Sequence, residues 1–213
     1  MDRKKLMAVV GVLTSIALVG GAFAYFSGRA ETKENKFAIV AGEQDQDGAI
    51  EIKEPNWVPP TDPVQPGQVL AKDPYVESKV DYEGYIVMKV TSPKISAKMS
   101  KEDTKFSKIE AFGYDWNTTD FQLLSEDDGT DAVVYYYGLK NSVAGKATTP
   151  KLFNKITFKN FAAVEKVDNM NYQVDVDAAI IQKIDPDKGT QFANVDAAFT
   201  GMGRSFEGYK ATE

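Results

Sequence analysis

An all-β fold is what the sequence predicts: a jelly-roll-like antiparallel β-sandwich with one or two short helical excursions. Three observations lead there. Short apolar segments alternate with period two, as in Ala49-Ile50-Glu51-Ile52-Lys53 and in Tyr172-Gln173-Val174-Asp175-Val176-Asp177. Turn signals separate such segments, for example Asp127-Asp128-Gly129 between two strand-like runs. Pro55, Pro59, Pro60, Pro63 and Pro66 crowd one stretch and forbid both helix and central strand there. Half-buried antiparallel strands of this kind stack as a sandwich or jelly roll.

The elements follow in chain order. Phe37–Ala41 reads as a short apolar strand and Gly42–Gly48 as an acidic turn. Ile50 and Ile52 share one face of the next strand. The proline-rich run is an extended crossing loop, pinned by Trp57. Gln68–Val80 and Tyr82–Thr91 form a strand pair, with Ile86, Met88 and Val90 facing one way. Ser100–Gly113 is expected to be helical: Ser100 caps, Phe106, Ile109 and Phe112 line one face, and Gly113 stops it. Phe121–Leu124 and Ala132–Leu139 are strands. Leu152–Phe161 alternates around Ile156 and Phe158. Tyr172–Ile184 follows, with Tyr172, Val174 and Val176 inward. Thr190–Phe199 is expected as a short amphipathic helix with Phe192, Val195 and Phe199 inward. The glycine-rich stretch from Gly201 is expected to fray. The division this implies is a leader over 1–24, an arm and first strand over 25–41, a sandwich over 42–200 and a flexible tail over 201–213.

The chain has 213 residues, and removal of the leader would leave about 190, enough for one core. It contains no cysteine and no histidine. Disulfides, thiolate metal sites and a cysteine nucleophile are excluded, and the commonest general base and zinc ligand are missing. Arg3, Lys4 and Lys5 precede an apolar stretch from Leu6 to Val19, and Ala22-Phe23-Ala24 offers small side chains at the two positions a signal peptidase accommodates. Cleavage is predicted after Ala24, leaving Tyr25 first. The apolar stretch is short for a membrane span of roughly 20 residues, which disfavours an uncleaved anchor. The full chain carries a net charge of −6; without Arg3, Lys4, Lys5 and Asp2 it has 22 basic and 30 acidic side chains, a net of −8. That balance offers no electrostatic footprint for nucleic acid or anionic lipid.

Several stretches carry a resemblance. Gly20-Gly21-Ala22-Phe23-Ala24-Tyr25-Phe26 straddles the cleavage site, followed by Asn35-Lys36-Phe37 and Ala41-Gly42. Glu54-Pro55-Asn56-Trp57, Pro66-Gly67-Gln68, Lys72-Asp73-Pro74-Tyr75-Val76 and Thr148-Thr149-Pro150-Lys151-Leu152-Phe153 come later in the same order and spacing. Together they resemble the TasA/camelysin (CalY) family of Gram-positive bacteria, whose members are processed by the signal peptidase SipW. Glu77-Ser78-Lys79 departs from the family's usual turn at that point. The resemblance implies a secreted jelly-roll subunit of extracellular fibres or biofilm matrix; that it is not an enzyme is expected from the lack of histidine and cysteine. It implies head-to-tail assembly with copies of itself by donation of an N-terminal strand, export through a SipW-type peptidase, and room for a minor or anchoring subunit. The arm residues so implicated are Tyr25, Phe26, Phe37 and Ile39. The alternative is a monomeric cell-surface adhesion module. A camelysin-type metalloprotease is disfavoured because the chain lacks HExxH and every histidine.

Remaining motifs have a bland and a sharp reading. Glu43, Asp45, Asp47, Glu51 and Glu54 fall at calcium-loop spacing, yet a strand precedes them and Pro55 follows, so a solvated turn is the simpler expectation and no cofactor is expected. Asp175 and Asp177 lie two apart on one strand, which would suit paired carboxylates, but alternation predicts a solvated face. Glu126, Asp127, Asp128 and Asp131 read as surface charge. Tyr135-Tyr136-Tyr137 reads as cross-strand packing rather than a sugar platform.

Overall fold

The computed structural model describes residues 49–61, 63–165, 172–184, 189–201, 203, 204 and 206. The predicted leader, arm, first strand and acidic turn therefore lie outside the described residues. What remains is built around one strand. β4 (Gly84–Lys98) runs for 15 residues, and two sets of partners share it. Along its first half, β11 (Asp175–Gln182) pairs from Gly84↔Gln182 to Thr91↔Asp175. β8 (Ala132–Leu139) pairs from Val87↔Gly138 to Pro93↔Ala132, and β7 (Phe121–Asp128) hairpins onto β8 with a bulge between Leu123 and Ser125. Beyond Pro93, β5 (Ser107–Glu110) and β10 (Ala163–Val164) take over. Pro93 has no N–H to give a ladder, and it sits where β11 has ended and β5 has not begun.

Two smaller antiparallel sheets complete the sandwich. β1 (Ile50–Lys53) pairs with β3 (Tyr75–Ser78). β2 (Val69–Ala71), β9 (Lys155–Phe158) and β6 (Phe112–Tyr114) form the other, with β9 central. Ile86, Met88 and Val90 of β4 and Val176, Ala178 and Ile180 of β11 share a core with Ile50, Ile52, Val76, Phe112 and Ile156 from the smaller sheets. Trp57 packs against the same core and pins the proline-rich crossing loop. Each such side chain fully removed from water contributes about 1.5–3 kcal/mol.

The opposite face of the large sheet is covered as well. Tyr85, Val87, Tyr136, Ala179 and Ile181 pack under Val195, Ala198 and Phe199 of α1 (Val195–Gly201) and under Phe206. This second core explains why Tyr85–Met88 and Ala178–Ile181 read as unbroken apolar runs instead of alternating. Gly138 makes the helix's approach possible: a Cβ there would stand 2.7 Å from Val195 Cγ2 and 2.8 Å from Leu124 Cδ1. α1 begins later than the sequence suggested. Asn194 is its cap, accepting from Ala197 N at 2.9 Å, and Phe192 lies before the helix. Phe206, which the sequence placed in a fraying tail, is fully buried.

Three further expectations need correction. Ser100–Gly113 is not a helix. Asp103 closes a turn by accepting from Met99 N and Ser100 N, each at 2.9 Å, and β5 and β6 follow. Spacing of three between apolar residues fits two short strands around a corner equally well, and pairing with β4 and β9 decides the outcome. Ala111 is the corner, bonded through its N–H to Pro93 O at 2.8 Å. Gln68–Val80 is not one strand but β2 and β3, broken at Lys72-Asp73-Pro74 where the chain changes sheets. Asp177 is not on a solvated face; it is 5% exposed and lies 3.9 Å from Lys89 Nζ, its cross-strand neighbour.

Candidate functional site

The densest arrangement of buried charge lies at the corner between β2 and β3. Glu54 starts a turn after β1, closed by Trp57 N donating to Glu54 O at 3.2 Å, with Pro55 setting the backbone. The turn aims Glu54 inward. Its Oε1 meets Lys72 Nζ at 2.7 Å; the Lys72 side chain is wholly buried and that of Glu54 is 6% exposed. The same ammonium lies 4.7 Å over the Trp57 ring. Burial pushes Lys72 down from the ordinary lysine range, with the Glu54 carboxylate opposing the shift most and Asp175 and Asp73 adding to that opposition.

Asp73, also buried, faces the other way. It accepts from Asn56 N at 3.0 Å and Asn56 Nδ2 at 2.8 Å, and pairs with Lys151 Nζ at 2.9 Å. Thr149 Oγ1 accepts from the buried Val76 N at 3.0 Å and donates to Pro150 O at 2.9 Å. Leu152 N donates to Pro74 O at 2.9 Å. Three stretches far apart in sequence, Glu54–Trp57, Lys72–Val76 and Thr149–Leu152, thus close on one junction. Lys72 meets Glu54 and Lys151 meets Asp73 in it. A cavity of about 40 Å³ opens beside it between Trp57, Leu70, Lys72, Ile156 and Tyr172. That space suits a water or two, against the roughly 300–1,000 Å³ of small-molecule sites.

An aromatic stack adjoins the core. Trp116 lies between Tyr114 and Tyr137, with centroids at 4.4 and 4.6 Å, and Phe153 stands edge-on to Tyr114 and Trp116. Tyr114 donates to Ser92 Oγ at 2.7 Å and Tyr135 to Glu110 Oε1 at 3.1 Å. Desolvation raises all three phenols; Glu126 adds to the effect at Tyr137, which is pushed up to about 12. Tyr136 points the opposite way, onto Phe199 and Phe206. The three tyrosines pack on the two faces of β8, Tyr135 and Tyr137 on one and Tyr136 on the other.

The other sequence candidates divide as follows. Ala22, Ala24, Tyr25, Phe26, Phe37 and Ile39 lie outside the described residues, as do Glu43, Asp45 and Asp47. Glu51 and Glu54 are described and are not brought together: Glu51 faces outward to Lys53 and Lys79, whereas Glu54 is turned in to Lys72. Among the described residues no group of three or more carboxylates is placed to hold a metal ion. Asp175 takes a hydrogen bond from Gln173 Nε2, and Asp177 pairs with Lys89, so the two do not act as a dyad. Asp128 and Asp131 pair with Lys94 and Lys108 at the β7–β8 turn. Asn117, in a glycosylation-like triplet, is occupied in a turn with Asp120 and Lys151 O. Sequence reasoning missed the junction because only the fold joins its members; a lysine and an aspartate between two apolar strands, just before proline, were the available signal. Among the described residues no helix is long and apolar enough to cross a membrane. The chain matches no protein-family model, no curated protein and no solved structure.

Proposed function

We propose that the chain is a secreted, non-catalytic structural subunit of an extracellular fibre or biofilm matrix of the TasA/camelysin type. In this reading it joins copies of itself head to tail through the arm Tyr25–Ala41. The observation that carries the proposal is the convergence of Glu54–Trp57, Lys72–Val76 and Thr149–Leu152, three of the stretches that resemble that family, on one junction. Residues with a shared structural task explain why those short motifs would recur in order. Two features make strand donation physically reasonable. Among the described residues β2 pairs only with β9, so one of its edges is open, and Val69 on it is 55% exposed. An incoming strand would satisfy those backbone groups, and a contact that does not close on itself builds a filament.

The test is negative-stain electron microscopy of purified residues 25–213, with and without calcium, beside a variant lacking Tyr25–Lys36. Filaments from the first and folded monomers from the second are expected. Filaments from both would refute strand donation by the arm; monomers from both, at any calcium level, would refute a self-assembling subunit and favour an adhesion module.

A further inference from the structure

We propose that Lys72 and Glu54 condense into an intramolecular amide that ties the turn after β1 to the corner between β2 and β3. The two groups are in contact at 2.7 Å, and neither reaches bulk water: the Lys72 side chain is fully buried and that of Glu54 nearly so. Trp57 covers the ammonium. Asp73, the neighbouring buried carboxylate, is held by Asn56 and Lys151, so Glu54 is the acyl group that Lys72 meets.

The chemistry balances without any added reagent. The proton shared along the contact passes from Lys72 Nζ to the Glu54 carboxylate, leaving a neutral amine beside a carboxylic acid. Burial already depresses the Lys72 ammonium, which brings the neutral amine within reach in this contact. A desolvated lysine amine is an activated nucleophile. Its lone pair attacks Glu54 Cδ, the C–O bond breaks, and hydroxide departs with one amine proton as water. The adjoining cavity, which Lys72 lines, has room for the released water. Fixed contact replaces the entropy of a bimolecular encounter, and the amide removes two buried charges at once. The product closes residues 54–72, including the proline-rich crossing, into a ring. In a chain without cysteine this supplies the constraint on the unfolded state that a disulfide otherwise gives. The inference holds whether or not the chain polymerises.

Intact mass spectrometry of the full chain, with its N-terminus determined, tests this. The expected mass is lower than the sequence mass by one water. Trypsin should leave Glu54–Lys79 as a single peptide, uncut after Lys72 and lighter by one water, with fragmentation placing the link between Glu54 and Lys72. Glu54→Gln should reach the same final mass by losing ammonia instead, and Lys72→Arg should show its full mass. A full wild-type mass with ready cleavage after Lys72, or a water loss mapping elsewhere such as Asp128-Gly129, would overturn the proposal and leave a buried ion pair.

Discussion

Replacing Thr149 by valine removes the hydroxyl at the junction, with its bonds from Val76 N and to Pro150 O, almost without changing shape. Thr149 Oγ1 accepts from Val76 N at 3.0 Å, and Val76 is wholly buried in the core. Valine keeps the volume but leaves that N–H with no acceptor, and an orphaned buried donor costs about 1–3 kcal/mol. The extra buried methyl returns about 0.8 kcal/mol. The net expected loss is about 0.2–2.2 kcal/mol. With a urea m-value near 2 kcal/mol/M, the unfolding midpoint should fall by about 0.1–1 M at unchanged slope. Thr149→Ser keeps the oxygen and should lose less. Urea titrations followed by circular dichroism read all three proteins. A Thr149→Val protein as stable as wild type would mean that Val76 N finds another partner, and the account of the junction as an obligatory acceptor of backbone donors would be wrong.

Two further outcomes are expected. Gly138→Ala should lower stability by about 1–3 kcal/mol through overpacking, because its Cβ meets Val195 and Leu124 at 2.7 and 2.8 Å; an unchanged melting temperature would show that α1 does not seat where described. Alkaline titration should release tyrosinate in two stages. Tyr114, Tyr135 and Tyr137 have folded values raised above the unfolded value near 10, so their contribution is whole below pH 10 and is lost as pH climbs through the folded values, Tyr137's being about 12. The second absorbance stage should coincide with loss of the β-sheet signal, whereas ionisation of every tyrosine near pH 10 with the sheet intact would contradict the buried stack.

Legibility followed the environment of each segment. Where one face meets the core and the other meets a neutral surround, alternation told the truth: Ile50 and Ile52 point inward, as do Val174 and Val176. The hairpin at Asp127-Asp128-Gly129 was visible because turn chemistry is local. Alternation fails where α1 covers the second face, since Tyr85, Val87, Ala179 and Ile181 then add apolar residues at the positions expected to be polar. It fails again at Asp177, where a buried charge faces Lys89 across the ladder. Corners were the least legible. Nothing local distinguishes Phe106, Ile109 and Phe112 as a helix face from the same residues turning between two sheets. The junction could not be read at all, because Asp73 and Lys151, or Glu54 and Lys72, become neighbours only once three sheet crossings are in place.

Those crossings also account for the polar residues found there. Each time the chain leaves one sheet for another, backbone N–H groups lose their ladder partners, and the need for another acceptor is greatest where water is shut out, as at Val76. Asp73 accepts the N–H of Asn56, Thr149 that of Val76, and Asp115 those of Asn154 and Lys155 at 2.9 and 3.0 Å. At these corners a side-chain acceptor substitutes for the missing strand, and the accompanying negative charges at the β2–β3 corner face Lys72 and Lys151. The charged cluster thus follows from the geometry of a sandwich whose chain changes layers often. A concentration of buried acid and base, elsewhere a mark of catalysis, serves at this corner to fasten three crossings of the chain together.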